Sequence, residues 1–293
     1  MVSPYRQQLD EQGFVIIPDL IAPDGEFERL RAACDDAVAQ TRAGTWKLRR
    51  TVGKQFPPYG DANPDSWGVQ MLMHPDLGPA AKVFAEWYTG DRLTGAVRDL
   101  LGCGEENLEM ELFNLLINPL GHDFALSWHR DDVKHNASAE EEEEALKLWH
   151  FGMQWNTALY EDSSLYVVPG SHKIVRTDEQ RALSCTPDPA SNPLDMPGAI
   201  PVTLKPGETV FYNSNIIHVG TYKHTVKRAT LHGTMGDTRG GSVRARNILQ
   251  HGLDWMYDKR FQDGLTERGK GMLDRLIQMK EGAGADVGYS LDA

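Results

Sequence analysis

Apolar residues recur along this chain with two different periods. From about residue 108 the period is that of strands. Leu108, Met110, Leu112, Asn114 and Leu116 alternate with Glu109, Glu111, Phe113, Leu115 and Ile117, and such alternation sends successive side chains to opposite faces of a sheet. Comparable pieces stand at 150–160, 164–168, 208–217 and 227–235, with turn residues between them. Several short strands without long helices between them predict a sandwich or barrel.

Upstream the period is mostly helical. Residues 4–42 read as helix, short strand, helix. The strand is Gly13-Phe-Val-Ile-Ile-Pro18, a compact apolar run bounded by Gly and Pro, and Phe27, Leu30, Ala33 and Ala37 set a helix over 26–42. Residues 78–101 predict one or two helices, stopped by Gly102. Residues 44–70, rich in Gly, Pro and aromatics, read as a long irregular surface loop. The acidic run Glu140 to Glu144 predicts a solvated helical insert, residues 253–280 a terminal helix, and the last dozen residues a loose tail. One domain over 1–293 is expected: a helical N-terminal region over 1–107, a β core over 108–250 and the C-terminal helix 253–280.

Composition narrows the function classes. Of 293 residues, 40% are hydrophobic and 25% charged, as in an ordinary globular protein. The formal net charge of −12 argues against nucleic acid or an anionic membrane as the main partner. No stretch approaches the roughly 18 consecutive apolar residues of a membrane span. The N-terminus lacks a secretory pattern, and Ser290-Leu-Asp-Ala does not match the peroxisomal tripeptide. Cys34, Cys103 and Cys185 are too scattered for a disulfide framework or a zinc knuckle. A reducing, cytoplasmic setting is expected.

The chemistry rests on histidines placed beside carboxylates. In Trp128-His129-Arg130-Asp131 the imidazole and the carboxylate are two residues apart, on one face of a strand. A third ligand has to come from a distant strand, and His218, which closes the apolar run Phe211 to Ile217, is the natural candidate. Two His and one carboxylate on one face of a metal leave open positions, the arrangement of non-haem iron(II) oxygenases. A second His-x-Asp, His74-Pro75-Asp76, has Pro in the middle and reads as a loop entering a helix. Beyond His218, Arg228, Thr230 and His232 share one strand face. A guanidinium beside a hydroxyl suits the far carboxylate of a 2-oxoglutarate that chelates the metal through its keto-acid end.

In order, the pieces Gly13-Phe-Val-Ile-Ile-Pro18, Trp128-His-Arg-Asp131, Val167-Val-Pro-Gly-Ser-His172, Gly207-Glu-Thr-Val-Phe-Tyr212, His218 and Arg228 resemble the phytanoyl-CoA dioxygenase family. The resemblance spans roughly residues 8–250. It implies a fold that is mainly β with flanking helices, a double-stranded β-helix of the cupin-like jelly-roll kind. It further implies Fe(II) on His129, Asp131 and His218, 2-oxoglutarate anchored by Arg228 with Thr230, and oxidation of a small molecule by O2 with release of succinate and CO2. The outcome would be hydroxylation, or desaturation or cyclisation. Asp131 fills the position that a halide needs in related halogenases, so halogenation is not expected. Trp155 stands where the family often has a Trp near the co-substrate; Phe151, Met153 and Leu159 around it are apolar, which equally suits core packing. His172 is not assigned to the metal, and Ser171 is expected to cap a short helix.

Two other readings stay open: a cupin-like protein that binds without catalysis, and a zinc hydrolase on the same ligands. The substrate is not legible. Lys47, Arg49, Arg50 and Lys54 among Trp46, Phe56, Tyr59 and Trp67 read first as a solvated basic loop, and the same mix suits an anionic or aromatic small molecule. Segments 44–70 and 132–149, one basic and one acidic, are expected to flank the metal and close on each other, and 185–200 is a third irregular segment near the motifs.

Overall fold

The computed structural model describes residues 2–56, 59, 63–242, 244 and 253–283. The C-terminal tail from 284 on, and 243 and 245–250 of the expected β core, lie outside the described residues.

Helix α1 (Pro4–Gln12) starts where the Ser3 side chain accepts from Arg6 N, with Pro at its first position. It ends on Gly13, whose φ of 79° is left-handed. A Cβ there would stand 2.5 Å from His172 Nδ1, so Gly13 is required twice over. Strand β1 (Phe14–Ile17) and helix α2 (Glu26–Arg42) follow as the pattern predicts.

The 44–70 segment is not simply a loop. It contains β2 (Arg49–Thr51) and β3 (Ser66–Val69), and β3 adds to a sheet by pairing Gly68 with Leu116 and Val69 with Leu115. Two helices, α3 (Pro79–Tyr88) and α4 (Asp91–Leu101), fill 78–101, and Gly102 closes the second at φ 63°. The region expected to be helical thus also supplies three strands.

The β region contains β4 (Leu108–Ile117), β5 (Phe124–Ala125), β6 (Gly152–Ala158), β7 (Asp162–Val167), β8 (Ile200–Leu204), β9 (Thr209–Tyr212), β10 (His218–Tyr222) and β11 (Ala229–Asp237). They form a seven-stranded sheet in the order β1-β9-β6-β11-β4-β3-β2 and a four-stranded sheet in the order β5-β10-β7-β8. Every pairing is antiparallel. These are the two walls of a double-stranded β-helix with helices packed outside. The expected strand at 208–217 is shorter and stops at Tyr212, because Asn213 turns the chain: its Oδ1 accepts from Asn215 N at 2.8 Å and its carbonyl from Ile216 N at 3.0 Å.

All ten residues of β4 are buried, since helices cover one face and the small sheet the other. On the helix side Phe113 packs against Phe84, Trp87 and Tyr88. A separate apolar cluster, including Leu165, Val167, Val202 and Val210, joins the sheets.

Three further expectations are corrected. Well after α6 (Asp178–Ser184), the terminal helix is three pieces: a 3-10 turn (Leu253–Tyr257), α7 (Lys259–Gly264) and α8 (Glu267–Gly282). Asp258 and Thr266 cap the two helices and so restart the chain twice. Ser171 does not cap; the 3-10 turn Ser171–Lys173 follows Gly170 in the left-handed region, and Ser171 Oγ accepts from Ile217 N at 2.8 Å. Helix α5 (Ala139–Leu146) is the acidic insert, but its Glu142 is fully buried. Among the described residues no helix is long and apolar enough to cross a membrane.

Candidate metal centre and its cavity

After β5 the chain runs on beside β10. Leu126 N donates to Gly220 O at 2.9 Å, and His129 and His218 exchange two backbone hydrogen bonds of 3.1 Å. They are therefore a directly opposed antiparallel pair, with ring centroids 4.2 Å apart. Two residues on, Asp131 returns to the same face, and its N donates to Ser214 O at 2.8 Å. Local strand geometry thus brings together the three residues that the sequence singled out. One ligand atom from each lies within 4.8 Å of the others, and among the described residues this is the one such group.

Both imidazoles are oriented from behind. His129 Nδ1 donates to Ser127 O and His218 Nδ1 to Ile216 O, each at 2.9 Å. That choice of tautomer leaves both Nε2 atoms as lone-pair donors facing Asp131, at 3.6 and 3.8 Å from its oxygens. Asp131 accepts from Gln154 Nε2 at 2.6 Å. Gln55 serves Ser127 as a strand would: its Oε1 accepts from Ser127 N at 2.7 Å and its Nε2 donates to Ser127 O at 3.2 Å. Phe56 lies edge-on over the His129 ring, centroids 5.6 Å apart.

Burial, and next the His218 ring, push the His129 pKa down to about 4, so His129 is a neutral imidazole at neutral pH. Burial pushes the Asp131 carboxyl up, but His218, His129 and the Gln154 amide outweigh it and hold the group below its ordinary value. A neutral imidazole and an ionised carboxylate can coordinate a divalent cation without first losing a proton.

The three residues line a cavity of about 150 Å³ between the sheets. Arg228, His232 and Thr234 line it from β11 and the residue before that strand. Arg228 is buried, with its guanidinium 4.7 Å over the Tyr222 ring. Its Nε donates to Asp162 Oδ2 at 3.0 Å and lies 3.2 Å from Thr230 Oγ1, which itself donates to Asp162. Its Nη1 is buried without a partner. Thr230 is thus spoken for by Asp162, a residue that nothing in the sequence marked. His232, tied to Asn156 at 2.8 Å, has its pKa driven down to about 3 by burial and then by Arg50.

Arg50 also lines the cavity, 5.0 Å over the Trp67 ring. It has no ion-pair partner among the described residues, and its Nε is buried without one. Trp67 belongs to the same wall, its Nε1 fixed by Thr51 O and Lys54 O. Arg49 instead bonds within its own segment, to Asn63 O and Ser66 Oγ.

Two expectations fail here. Trp155 lies on the opposite face of β6, in the core against Tyr88 and Phe211, because Gln154 and Asn156 take the cavity side. No lining residue comes from 132–149, so among the described residues the acidic segment takes no part in the cavity wall.

A family model described as phytanoyl-CoA dioxygenase (PhyH) matches residues 9–229. No curated protein matches the chain in sequence. Among solved structures, AviO1 from Streptomyces viridochromogenes Tue57 is similar with TM-score 0.57 and 17% identity, over 81% of this chain and 95% of that one. EctD from S. alaskensis with 2-oxoglutarate and 5-hydroxyectoine follows at 0.56 and 15%, over 82% and 78%. The non-haem alpha-ketoglutarate-dependent epimerase SnoN from nogalamycin biosynthesis gives 0.52 and 16%, over 80% and 81%.

Proposed function

The chain belongs to the phytanoyl-CoA dioxygenase family of iron- and 2-oxoglutarate-dependent dioxygenases, and from that premise we propose that it oxidises a C–H bond of a small organic molecule at a centre held by His129, Asp131 and His218. The observation that carries the reading is the convergence of these three donors within 4.8 Å, with both imidazole Nδ1 atoms tied to carbonyls. When bound, iron(II) with 2-oxoglutarate and O2 supplies the oxidising power.

The chain's own residues do the placing. His129, Asp131 and His218 would hold the metal, and the cavity they line would take its other ligands. Gln154 fixes the Asp131 carboxylate. Arg228 binds the far carboxylate of 2-oxoglutarate through the buried Nη1 that has no partner of its own. Arg50 adds a second positive charge to the same wall. Phe56, Trp67 and Tyr222 give the cavity an aromatic wall beside these charges. SnoN and the similarly folded carbocyclase SnoK both come from nogalamycin biosynthesis, which supports a substrate from secondary metabolism.

Anaerobic titration with iron(II) and 2-oxoglutarate tests the proposal. The parent should bind one iron per chain and develop a metal-to-ligand charge-transfer band. His129→Ala, Asp131→Ala and His218→Ala should each lose the iron. Three variants that hold it like the parent would move the site elsewhere, and a zinc-loaded parent without oxygen-dependent succinate would favour a hydrolase.

A further inference from the structure

Arg130 stands between the two ligands of the His-x-Asp pair and is 2% exposed. On an extended chain it points away from His129 and Asp131. Its guanidinium donates in four directions: Nε to Glu142 Oε1 at 2.9 Å, Nη1 to Ser171 O at 2.8 Å and to Asn215 O, and Nη2 to Ile174 O at 2.8 Å. Asn215 belongs to the turn that leads into His218, and Ser171 holds Ile217 N. One side chain therefore ties the segment bearing His129 and Asp131 to the segment bearing His218. The backbone bonds between these segments are few: the pair at His129 and His218, with Asp131 N to Ser214 O on one side and Leu126 N to Gly220 O on the other.

A buried guanidinium needs a counter-charge, and Glu142 of α5 supplies it. Its carboxylate also accepts from Arg176 Nε at 2.9 Å and pairs with Arg181. Three cations converge on one buried anion, and removing one partner of a buried pair is far more damaging than the pair's net worth. Arg181 touches Glu142 and Ala137 O but neither ligand-bearing segment.

We propose that Arg130 and Glu142 are positioning residues for the metal centre: Glu142 fixes Arg130, and Arg130 sets the spacing between His129–Asp131 and His218. The proposal rests on the metal-site reading above. It gives the acidic insert a task at the back of the site instead of at its mouth.

Cobalt(II) binding to the full chain tests it, because the cobalt d–d absorption reports ligand geometry independently of turnover. Arg130→Lys and Glu142→Gln should each weaken cobalt binding by roughly 10–100-fold, the usual effect of losing an outer-shell partner, and should change the spectrum. Arg181→Gln should lower the melting temperature and leave both affinity and spectrum at parental values. Should the first two variants not fold, Glu142→Asp, with the charge kept and the reach shortened, should show the same loss in smaller measure. Parental affinity and spectrum in the folded Arg130 and Glu142 variants, or an equal loss in Arg181→Gln, would overturn the proposal alone. A parent that binds no cobalt would overturn the metal-site reading beneath it.

Discussion

Arg228 gives its Nε to Asp162 at 3.0 Å and keeps its Nη1 buried without a partner. The guanidinium is thus held by one edge and open on the other. Arg228→Gln should leave iron binding intact and weaken 2-oxoglutarate. Loss of one partner of a desolvated charge pair costs about 2–5 kcal/mol. Anaerobic titration of the charge-transfer band measures it, and unchanged affinity would place the anchor elsewhere. Lys227, the neighbouring cation, is no substitute, because it is exposed and pairs with Asp35.

Asp162 carries a pH signature. Burial pushes its carboxyl up, but Arg228, Thr230 and Ser164 outweigh that and hold the pKa below the ordinary value. A depressed folded pKa stabilises the protein above the unfolded pKa, and that share is lost as pH falls through the folded one. Asp162→Asn should therefore be less stable than the parent at neutral pH, and the gap should narrow in acid. Urea unfolding across that range checks it; a gap that does not vary with pH would mean that the charge on Asp162 is not what stabilises.

The features of the site that were legible in the sequence are the local ones. His129 and Asp131 share a face because strand residues two apart must, and a cross-strand histidine completes the set. Arg228 and Thr230 could be read by the same rule. Asp162 could not, because its contact joins β7 of one sheet to β11 of the other. Trp155 was ambiguous because both faces of β6 are buried, so hydrophobicity alone cannot say that Gln154 and Asn156 face the metal. The strands inside 44–70 are three and four residues long and owe their form to the edge of β4. Glu142 sits in a run of five glutamates, and only arginines from other segments decide which one turns inward.

Arg50, one of the four cations of the 44–70 segment, lines the same cavity as the co-substrate anchor Arg228. Arg50, Gly68, Leu116 and Thr230 form one cross-strand row. Gly68 leaves the Arg50 side chain room to lie along it: a Cβ there would meet Arg50 Cδ at 3.0 Å and Leu115 O at 3.2 Å. Gly68→Val should displace Arg50, and Arg50→Leu should remove its charge. Both should weaken 2-oxoglutarate in the same titration while iron stays bound. Loss of substrate turnover with unchanged 2-oxoglutarate affinity would return Arg50 to the substrate.

Glu109 marks a different response to pH. Both of its carboxylate oxygens are buried without hydrogen-bond partners. Its neighbour Glu111 is taken by Arg244, whose Nε donates to Oε1 at 2.7 Å. Burial first, and then the charge of Glu111, push the Glu109 pKa up to about 8. A raised carboxyl pKa works in the opposite sense to that of Asp162. The stability it lends is fully present below the unfolded value, in the ordinary carboxylate range. It is lost as pH rises toward about 8, because the unfolded chain ionises freely and the folded one does not. Glu109→Gln keeps the size of the side chain and removes the ionisation. It should match the parent in acid and become progressively the more stable of the two as pH rises, with the difference levelling off above the folded pKa. Urea midpoints of both proteins from acid to mildly alkaline pH test this. A difference that stays constant over the range would mean that Glu109 has the same pKa in the folded and the unfolded protein, with Arg244 and Arg275 offsetting the effect of burial.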